Sequence, residues 1–399
     1  MDKKNKNPNV PNLRFSFEED WCTSTIGENF RLSSGLTPST KEKAYFNNGI
    51  IPWINSGELK NKYISFTENK LTLDAVKKHN LTIYPMDTMV IAIYGLEAAG
   101  VRGKASITKM DSTISQSCMA FNSLGNVLTQ FMYYVYKKEA QILGTRYAQG
   151  TKQQNLSSDL LSSYKLLYPS KEEQLKIVNF LSLIDEKIET QSKIIELKQS
   201  LIKDIEDRIL WKTTNTQTKP IREFLTEINN KSIIQNQYPL LSSTKKGLFL
   251  QTDYFNKEAA SSNNIGYKIV HKGDIIISPQ NLWMGNITYN DKFDNGLVSP
   301  SYRIYKVKEE YNAFYISRIL MSYRALSLYK NISEQGASIV RRNLNVDAFN
   351  ELCFPIPNIK KQDEVGLFLS KLHQELKCET WILMQLKSQK NYLLNNMFI

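Results

Sequence analysis

A loop that grips phosphate needs Gly-x4-Gly-Lys-Ser/Thr, because the lysine has to reach the terminal phosphates. Gly95-Leu96-Glu97-Ala98-Ala99-Gly100 keeps the glycine spacing, but Val101-Arg102 stands where the lysine and hydroxyl belong. No Gly-x-Gly-x-x-Gly follows a strand-like run, so a dinucleotide or adenosylmethionine pocket of that kind has no support. An amino-methyltransferase loop of the form Asn/Asp-Pro-Pro-Tyr/Phe is excluded, since Pro-Pro occurs nowhere. A metal-dependent nuclease needs clustered carboxylates beside a lysine. Asp185-Glu186-Lys187 has those letters, yet it sits between Ile184 and Ile188 of a helical apolar stripe, where salt-bridged helix surface is the simpler account. The cysteines (Cys22, Cys118, Cys353, Cys378) and histidines (His79, His271, His373) are far apart. No pair has metal-ligand spacing, so the expectation is no metal site and four partly buried free thiols in a reducing cytoplasm.

What remains are polar and basic loops interleaved with aromatics. In the first half these residues are Tyr94, Arg102, Lys104, Gln116, Arg146, Lys152, Gln153 and Gln154. In the second they are Lys245, Lys246, Gln280, Asn281, Trp283, Arg303, Arg341, Arg342 and Asn343. Arg and Lys can read guanine edges, and Gln and Asn adenine edges, through paired hydrogen bonds. Other cations would hold phosphates and set position. Any one of these side chains could equally be a solvated loop residue; as a set near loop tips they fit DNA binding.

The elements that carry these loops follow from charge and repetition. The 399 residues hold 51 Lys+Arg against 39 Asp+Glu, a net +12. Residues 1–168 have 20 basic and 14 acidic side chains and residues 218–354 have 17 and 12, so the excess sits on two long stretches. Excess charge on two bodies suits a polyanion held at two places. Composition is that of a globular protein, with 41% hydrophobic and 23% charged residues. No apolar run reaches the length of a membrane span, and the polar start Met1–Pro8 does not resemble a signal peptide.

The chain is written twice. Pro169-Ser170-Lys171-Glu172-Glu173-Gln174, followed by Val178-Asn179-Phe180-Leu181-Ser182, returns 188 residues later as Pro357-Asn358-Ile359-Lys360-Lys361-Gln362 and Gly366-Leu367-Phe368-Leu369-Ser370. Upstream, Ile83–Ile91 with Asp87 echoes Val270–Ile277 with Asp274, and Gln149-Gly150 echoes Gln335-Gly336. A 4-3 spacing selects Ile177, Leu181, Ile184, Ile188, Gln191, Ile195, Lys198, Ile202, Ile205 and Ile209. The same offset selects Val365, Leu369, Leu372, Leu376, Glu379, Leu383, Leu386, Lys390, Leu393 and Met397. Eight of ten positions are apolar in each copy, which predicts two long helices with a coiled-coil seam. Ser170 and Glu173 predict a capping box at the first. Forty residues at ~1.5 Å give a rod of roughly 60 Å.

The rest predicts mixed α/β domains. Strand signals fall at Ile50–Ile54, Ile83–Tyr94, Ile107, Ile114–Phe121, Gly247–Leu250, Lys268–Ser278, Ile287–Tyr289 and Val298–Val307, with helices at Thr129–Gln141 and Tyr311–Tyr329. The expected organisation is a flexible arm over 1–14, a domain over 15–168, a helix over 169–212, a linker over 213–219, a second domain over 220–355 and a second helix over 356–399.

The sequence resembles the specificity subunits of type I restriction–modification enzymes. The resemblance rests on the order domain, long helix, domain, long helix, and on local matches. These are Asn9-Val10-Pro11-Asn12-Leu13-Arg14-Phe15, Gly150-Thr151-Lys152-Gln153-Gln154-Asn155-Leu156, Gly273-Asp274-Ile275-Ile276 leading to Leu282-Trp283-Met284-Gly285, Val298-Ser299-Pro300-Ser301-Tyr302, and the two Pro-x4-Gln openings. The second opening lacks the acidic pair Glu172-Glu173. The resemblance implies two target-recognition domains separated by two helices packed as an antiparallel coiled coil with pseudo-twofold symmetry. Each domain would read half of a bipartite duplex DNA site. The helices would space the domains and dock two adenine-N6 methyltransferase subunits, with restriction–translocase subunits beyond them. The chain itself would be non-catalytic and without a cofactor, adenosylmethionine, ATP and Mg²⁺ belonging to the partners. A stand-alone DNA-binding regulator, a coiled-coil scaffold, and a nuclease or methyltransferase acting alone stay open as alternatives.

Overall fold

The computed structural model describes residues 9–97, 100–147, 155–245, 247–254, 263–335 and 342–399. Two helices are far longer than the rest, Lys171–Trp211 and Ile359–Met397. Every position of the two 4-3 stripes is buried or half-buried, and the positions between them are mostly exposed. The chain divides into two compact units, Met1–Gln191 with Ile382–Ile399, and Ser192–Trp381. Each unit takes part of both long helices.

In the first unit a five-stranded sheet runs in the order Phe30–Ser34, Cys118–Ser123, Met89–Ala92, Ala105–Thr108, Tyr63–Ile64. The first four strands pair antiparallel and the short last one parallel. The helix Thr129–Ile142 buries Phe131, Tyr134 and Tyr136 in one cluster with Met89, Ile91 and Phe121. Ile177, Leu181 and Ile184 of the first long helix belong to that cluster, as do Leu394 and Met397 of the second. Asp185 Oδ1 lies 2.5 Å from Lys390 Nζ. Early residues of one helix therefore face late residues of the other, and the pair is antiparallel.

The second unit repeats the plan. Its sheet runs Leu225–Ile228, Arg303–Val307, Ile275–Ile277, Ile287–Tyr289, all antiparallel. Ile275, Ile277, Tyr305, Tyr315, Ile316 and Phe349 cluster with Leu210 of the first long helix and with Val365 and Leu369 of the second. Lys198, a polar seam position, donates to Glu379 at 2.7 Å, so charge lies within the stripe only where a partner meets it. Glu206 meets His373 at 2.8 Å, again early against late. The stripe thus serves two surfaces, the facing helix and the core of the adjoining domain.

The repeated Pro-x4-Gln motif is a clamp. Gln174 and Gln362 are both buried. Gln174 Oε1 accepts the Leu128 N–H at 2.8 Å, and its Nε2 donates to Pro169 O at 2.9 Å. Gln362 does the same with the Asn312 N–H at 3.0 Å and Pro357 O at 2.8 Å. Leu128 and Asn312 are the N-cap residues of the domain helices Thr129–Ile142 and Ala313–Leu320, so one amide locks the start of a long helix to the start of a domain helix. Each of Gln174→Ala and Gln362→Ala should cost about 1–3 kcal/mol, since a buried N–H loses its acceptor. Denaturant midpoints would show the loss, and an unchanged midpoint would deny the clamp.

Several expectations need correcting. Ile83–Tyr94 is not one strand: Asp87 takes a left-handed φ of 64° and only Met89–Ala92 is extended in the sheet. Lys268–Ser278 breaks likewise at Gly273 (φ 95°) into Lys268–His271 and Ile275–Ile277. Val298–Val307 breaks around Pro300, and Tyr311–Tyr329 is two helices, the second capped by Ser322. Of the capping box, Ser170 accepts the Glu173 N–H at 3.4 Å, but the Glu173 carboxylate turns to Arg14. At the second helix start Asn358 Oδ1 accepts the Lys361 N–H at 3.0 Å. Within the expected arm, Leu13 N donates to Asn396 O at 2.8 Å, and within the expected linker Gln217–Pro220 is a strand paired with Cys353–Ile356. Only Cys118 is buried among the cysteines; the other three are exposed. No helix among the described residues is long and apolar enough to cross a membrane.

Candidate nucleic-acid interface

In the first unit, the strands Met89–Ala92 and Ala105–Thr108 are joined by the loop 93–104, and the turn 115–117 precedes the strand Cys118–Ser123. The Ile93 N–H donates to Ser117 O and the Ala92 N–H to Lys104 O, each at 3.0 Å. These bonds bring the loop and the turn to the same end of the sheet, so Tyr94, Arg102, Lys104 and Gln116 belong to one neighbourhood. Tyr94 and Gln116 are exposed; Arg102 and Lys104 are half-buried. Leu156 N donates to Ile93 O at 3.0 Å, which ties residue 156 to that end as well. Lys152, Gln153, Gln154, Lys246 and Arg341 lie outside the described residues.

Gly103, at φ 76°, separates Arg102 from Lys104, and a Cβ there would sit 3.2 Å from Ala140 Cβ. Its carbonyl accepts the ammonium of Lys137 at 2.5 Å, which staples the basic loop to the helix Thr129–Ile142. Burial pushes Lys137 down to about 8. Lys62 is also pushed down to about 8, chiefly by burial, with Asp185 partly offsetting it. Lys62 Nζ donates to Tyr134 Oη and Ser182 Oγ at 2.8 Å each, and Tyr134 Oη donates to Asp185 Oδ2 at 2.6 Å. Asp185, singled out as helix surface, is therefore part of a half-buried polar junction between domain and helices.

The two lysines give a pH dependence with a definite sign. Below pH 8 both are charged in the folded and the unfolded chain, and neither contributes a slope. Between about 8 and the ordinary value of 10.5 the unfolded chain keeps protons that the folded chain has lost, so stability of the first unit gains as pH rises. Thermal unfolding from pH 7 to 10 should show this gain relative to Lys62→Met/Lys137→Met. Parallel curves for the two proteins would refute it.

In the second unit, the strand Ile275–Ile277 runs into a short 3-10 helix, Pro279–Met284, which carries Gln280, Asn281 and Trp283. This helix packs on the strand Arg342–Leu344. The Arg342 guanidinium lies 4.5 Å from the centroid of the Trp283 ring. Trp283 Nε1 and Arg342 Nε are buried donors without an acceptor among the described residues. Asn343, on the same strand, is opposite Glu334 and exposed. Lys245 sits at the turn of the hairpin Leu241–Thr244 and Gly247–Leu250. That hairpin is held to the residue after Gly285 by Ser243 Oγ and Asn286 Oδ1 at 3.0 Å. Gln280, Asn281, Trp283, Arg342 and Asn343 are thus assembled from segments some sixty residues apart, with Lys245 tied in through Asn286.

Arg303 has a different surrounding. It stands opposite Ile277 and forms an ion pair with Glu227 on the neighbouring strand, with Tyr305 Oη at 3.2 Å from its Nε. Its charge is matched within the sheet. Three positioning residues escaped the sequence reading: Lys137, Ser243 and Asn286. A lysine on an amphipathic helix looks solvated in a sequence, and the Ser243–Asn286 bond crosses two strands. Only the proximity of Asn286 to the Trp283 motif hints at it.

The end of the sheet used in the first unit is where Met89–Ala92 stops and Cys118–Ser123 starts. In the second it is where Ile275–Ile277 stops and Arg303–Val307 starts. These are the same two central strands of the repeated plan. Equivalent edges therefore carry polar, basic and aromatic loop residues in both units.

Residues 18–199 match the family model described as the type I restriction modification DNA specificity domain. The chain is 31% identical over 190 residues to the type I restriction enzyme MjaIX specificity subunit of Methanocaldococcus jannaschii, covering 46% of this chain and 42% of that one. It is 27% identical over 169 residues to the EcoR124I/EcoR124II specificity subunit of Escherichia coli, covering 42% and 41%. The chain thus spans less than half the length of the curated relatives it matches. The S subunit of a type I restriction–modification system from M. genitalium has a similar fold, with a TM-score of 0.58, 17% identity, and coverage of 98% of this chain and 99% of that one. A chain from a structure on complex assembly and conformational transition of the type I R-M system is similar at a TM-score of 0.57, with 10% identity and coverage of 96% and 99%.

Proposed function

We propose, from the match of residues 18–199 to the type I restriction modification DNA specificity domain, that the chain is a DNA sequence-specificity subunit. Each unit binds one half of a bipartite duplex site. The long helices set the spacing and dock two methyltransferase subunits, with restriction–translocase subunits joining them. The chain performs no chemistry itself; adenosylmethionine, ATP and Mg²⁺ act on the partner subunits, and the modified base is adenine N6. The observation that carries this reading is the repetition of the loop edge. Two domains of one plan present polar, basic and aromatic side chains at the same end of the same pair of strands.

Within the second unit, Trp283 and Arg342 fit base contact best, since stacking and an unmatched cationic donor suit a base and its edge. The first unit would use Tyr94, Arg102, Lys104 and Gln116. Half-site centres about ten base pairs apart would place both halves on one face of the duplex.

Mapping methylated adenines in cells that hold this subunit with its methyltransferase tests the reading. A split motif is expected, and Trp283→Ala should weaken or relax only one of its halves. A continuous motif, or methylation or cleavage by the purified chain alone, would overturn it.

A further inference from the structure

The segment Asn9–Trp21 of the first unit fills a groove at the start of the first long helix. Arg14 donates to both oxygens of Glu173 at 2.8 Å, and Leu13 N donates to Asn396 O at 2.8 Å. Phe15 meets Phe180 edge-on, with ring centroids 5.8 Å apart, while Lys176 Nζ lies 5.4 Å from the Phe15 ring centroid. Under this segment Glu173 is 1% exposed.

The repeat offset of 188 carries Glu173 to Lys361, Lys176 to Glu364, Ile177 to Val365 and Phe180 to Phe368, and in reverse Asn396 to Arg208. All five of those counterparts line one open groove of about 680 Å³ in the second unit. There the Lys361 side chain is 48% exposed and meets Glu364 Oε2 at 3.2 Å, a surface pair that an incoming acid would have to share, and Phe368 is 45% exposed. The reason is connectivity. In the first unit residues 9–21 precede the strand that begins at Cys22, whereas in the second only residues 212–216 separate the long helix from the strand at Gln217. The second unit has a copy of the groove and no such segment of its own to lay in it.

The charges of the copy are inverted: a cation replaces Glu173 and an anion replaces Lys176. We propose that this groove docks an extended segment of a partner protein in which an acidic residue, in the place of Arg14, is followed by an aromatic one, in the place of Phe15. The aromatic packs on Phe368 and Val365, and the acid pairs with Lys361. A second copy of this chain is a poor occupant, because its Arg14 would face Lys361. The proposal does not depend on which DNA the chain reads.

The probe is a labelled peptide of residues 9–21 carrying Arg14→Glu, titrated by fluorescence anisotropy against the full chain and compared with the unaltered peptide. The Arg14→Glu peptide should bind about threefold tighter than the unaltered one, the scale of an exposed ion pair. Lys361→Glu in the protein should invert that order. Phe368→Ala should weaken the Arg14→Glu peptide by about tenfold, the scale of one buried aromatic contact, with the melting temperature held as a check on folding. Absence of saturable binding, or binding indifferent to both Lys361→Glu and Phe368→Ala, overturns the proposal. Self-association of the chain that disappears with Phe368→Ala would assign the groove to a second copy and overturn it equally.

Discussion

Leu369→Asp is expected to unfold the second unit while leaving the first largely intact. Leu369 is fully buried where the second long helix meets Ile275, Tyr315 and Phe354. Removing a buried leucine side chain costs about 2–5 kcal/mol, and a carboxylate in its place must also be desolvated or protonated. Together these exceed about 5 kcal/mol, the lower end of the stability of a whole domain. Leu181→Asp should do the converse, since Leu181 belongs to the cluster of Phe121, Phe131 and Tyr134. Amide hydrogen exchange resolved along the chain separates the two outcomes. If the proposed function holds, assembly with methyltransferase subunits should also fail in both variants, because the same stripe holds the helices to each other. Uniform loss of protection throughout the chain, or none, would show that the seam residues do not serve the cores as described.

Glu206→Ala should cost about 3–5 kcal/mol, because it removes one partner of a buried ion pair and leaves the other charge unmatched. Arg318 grips Glu206 with Nε at 2.6 Å and Nη2 at 2.9 Å, and His373 Nε2 is 2.8 Å away on the same carboxylate. One side chain thus ties a domain helix, the first long helix and the second. Burial alone would raise the pKa of Glu206, but hydrogen bonds from His373 and Arg318 outweigh it and hold the group below its ordinary 4.5. A depressed carboxylate contributes stability that is present above 4.5 and is lost as pH falls through the lower folded value. The wild type should therefore lose stability in acid more steeply than Glu206→Gln, which cannot titrate. Equal acid slopes in urea titrations at pH 3 and 6 would refute this.

The parts of the fold that could be read in the sequence are those whose signal is long and local. A 4-3 stripe kept for forty residues leaves little choice of element, and its repetition at one offset fixes the plan of the chain. Short strands carried less. Ile83–Tyr94 reads as one apolar run because Asp87 looks like an ordinary polar interruption, and only its left-handed backbone shows that the strand starts later. Gln174 and Gln362 were visible as a motif, yet their use as clamps depends on two backbone N–H groups that lie 46 and 50 residues away.

The candidate interface was legible as a population and not as a geometry. Arg303 and Arg342 look alike in a sequence: each is a cation in a polar stretch. The fold gives one a carboxylate across the sheet and stacks the other on Trp283. Lys137, which restrains the loop between Arg102 and Lys104, offered no signal, since its partner is a carbonyl.

In both units the strand that leads into the domain pairs antiparallel with the strand that leads out, Cys22–Thr25 with Lys165–Tyr168 and Gln217–Pro220 with Cys353–Ile356. The two ends of each domain are therefore neighbours, closed by a short ladder of main-chain bonds that is indifferent to what lies between. In genetic terms, each domain is a cassette with matched flanks. A recombination that replaces everything between two such strands would exchange one domain, its loop edge included, and leave the long helices and the closing ladder as they were.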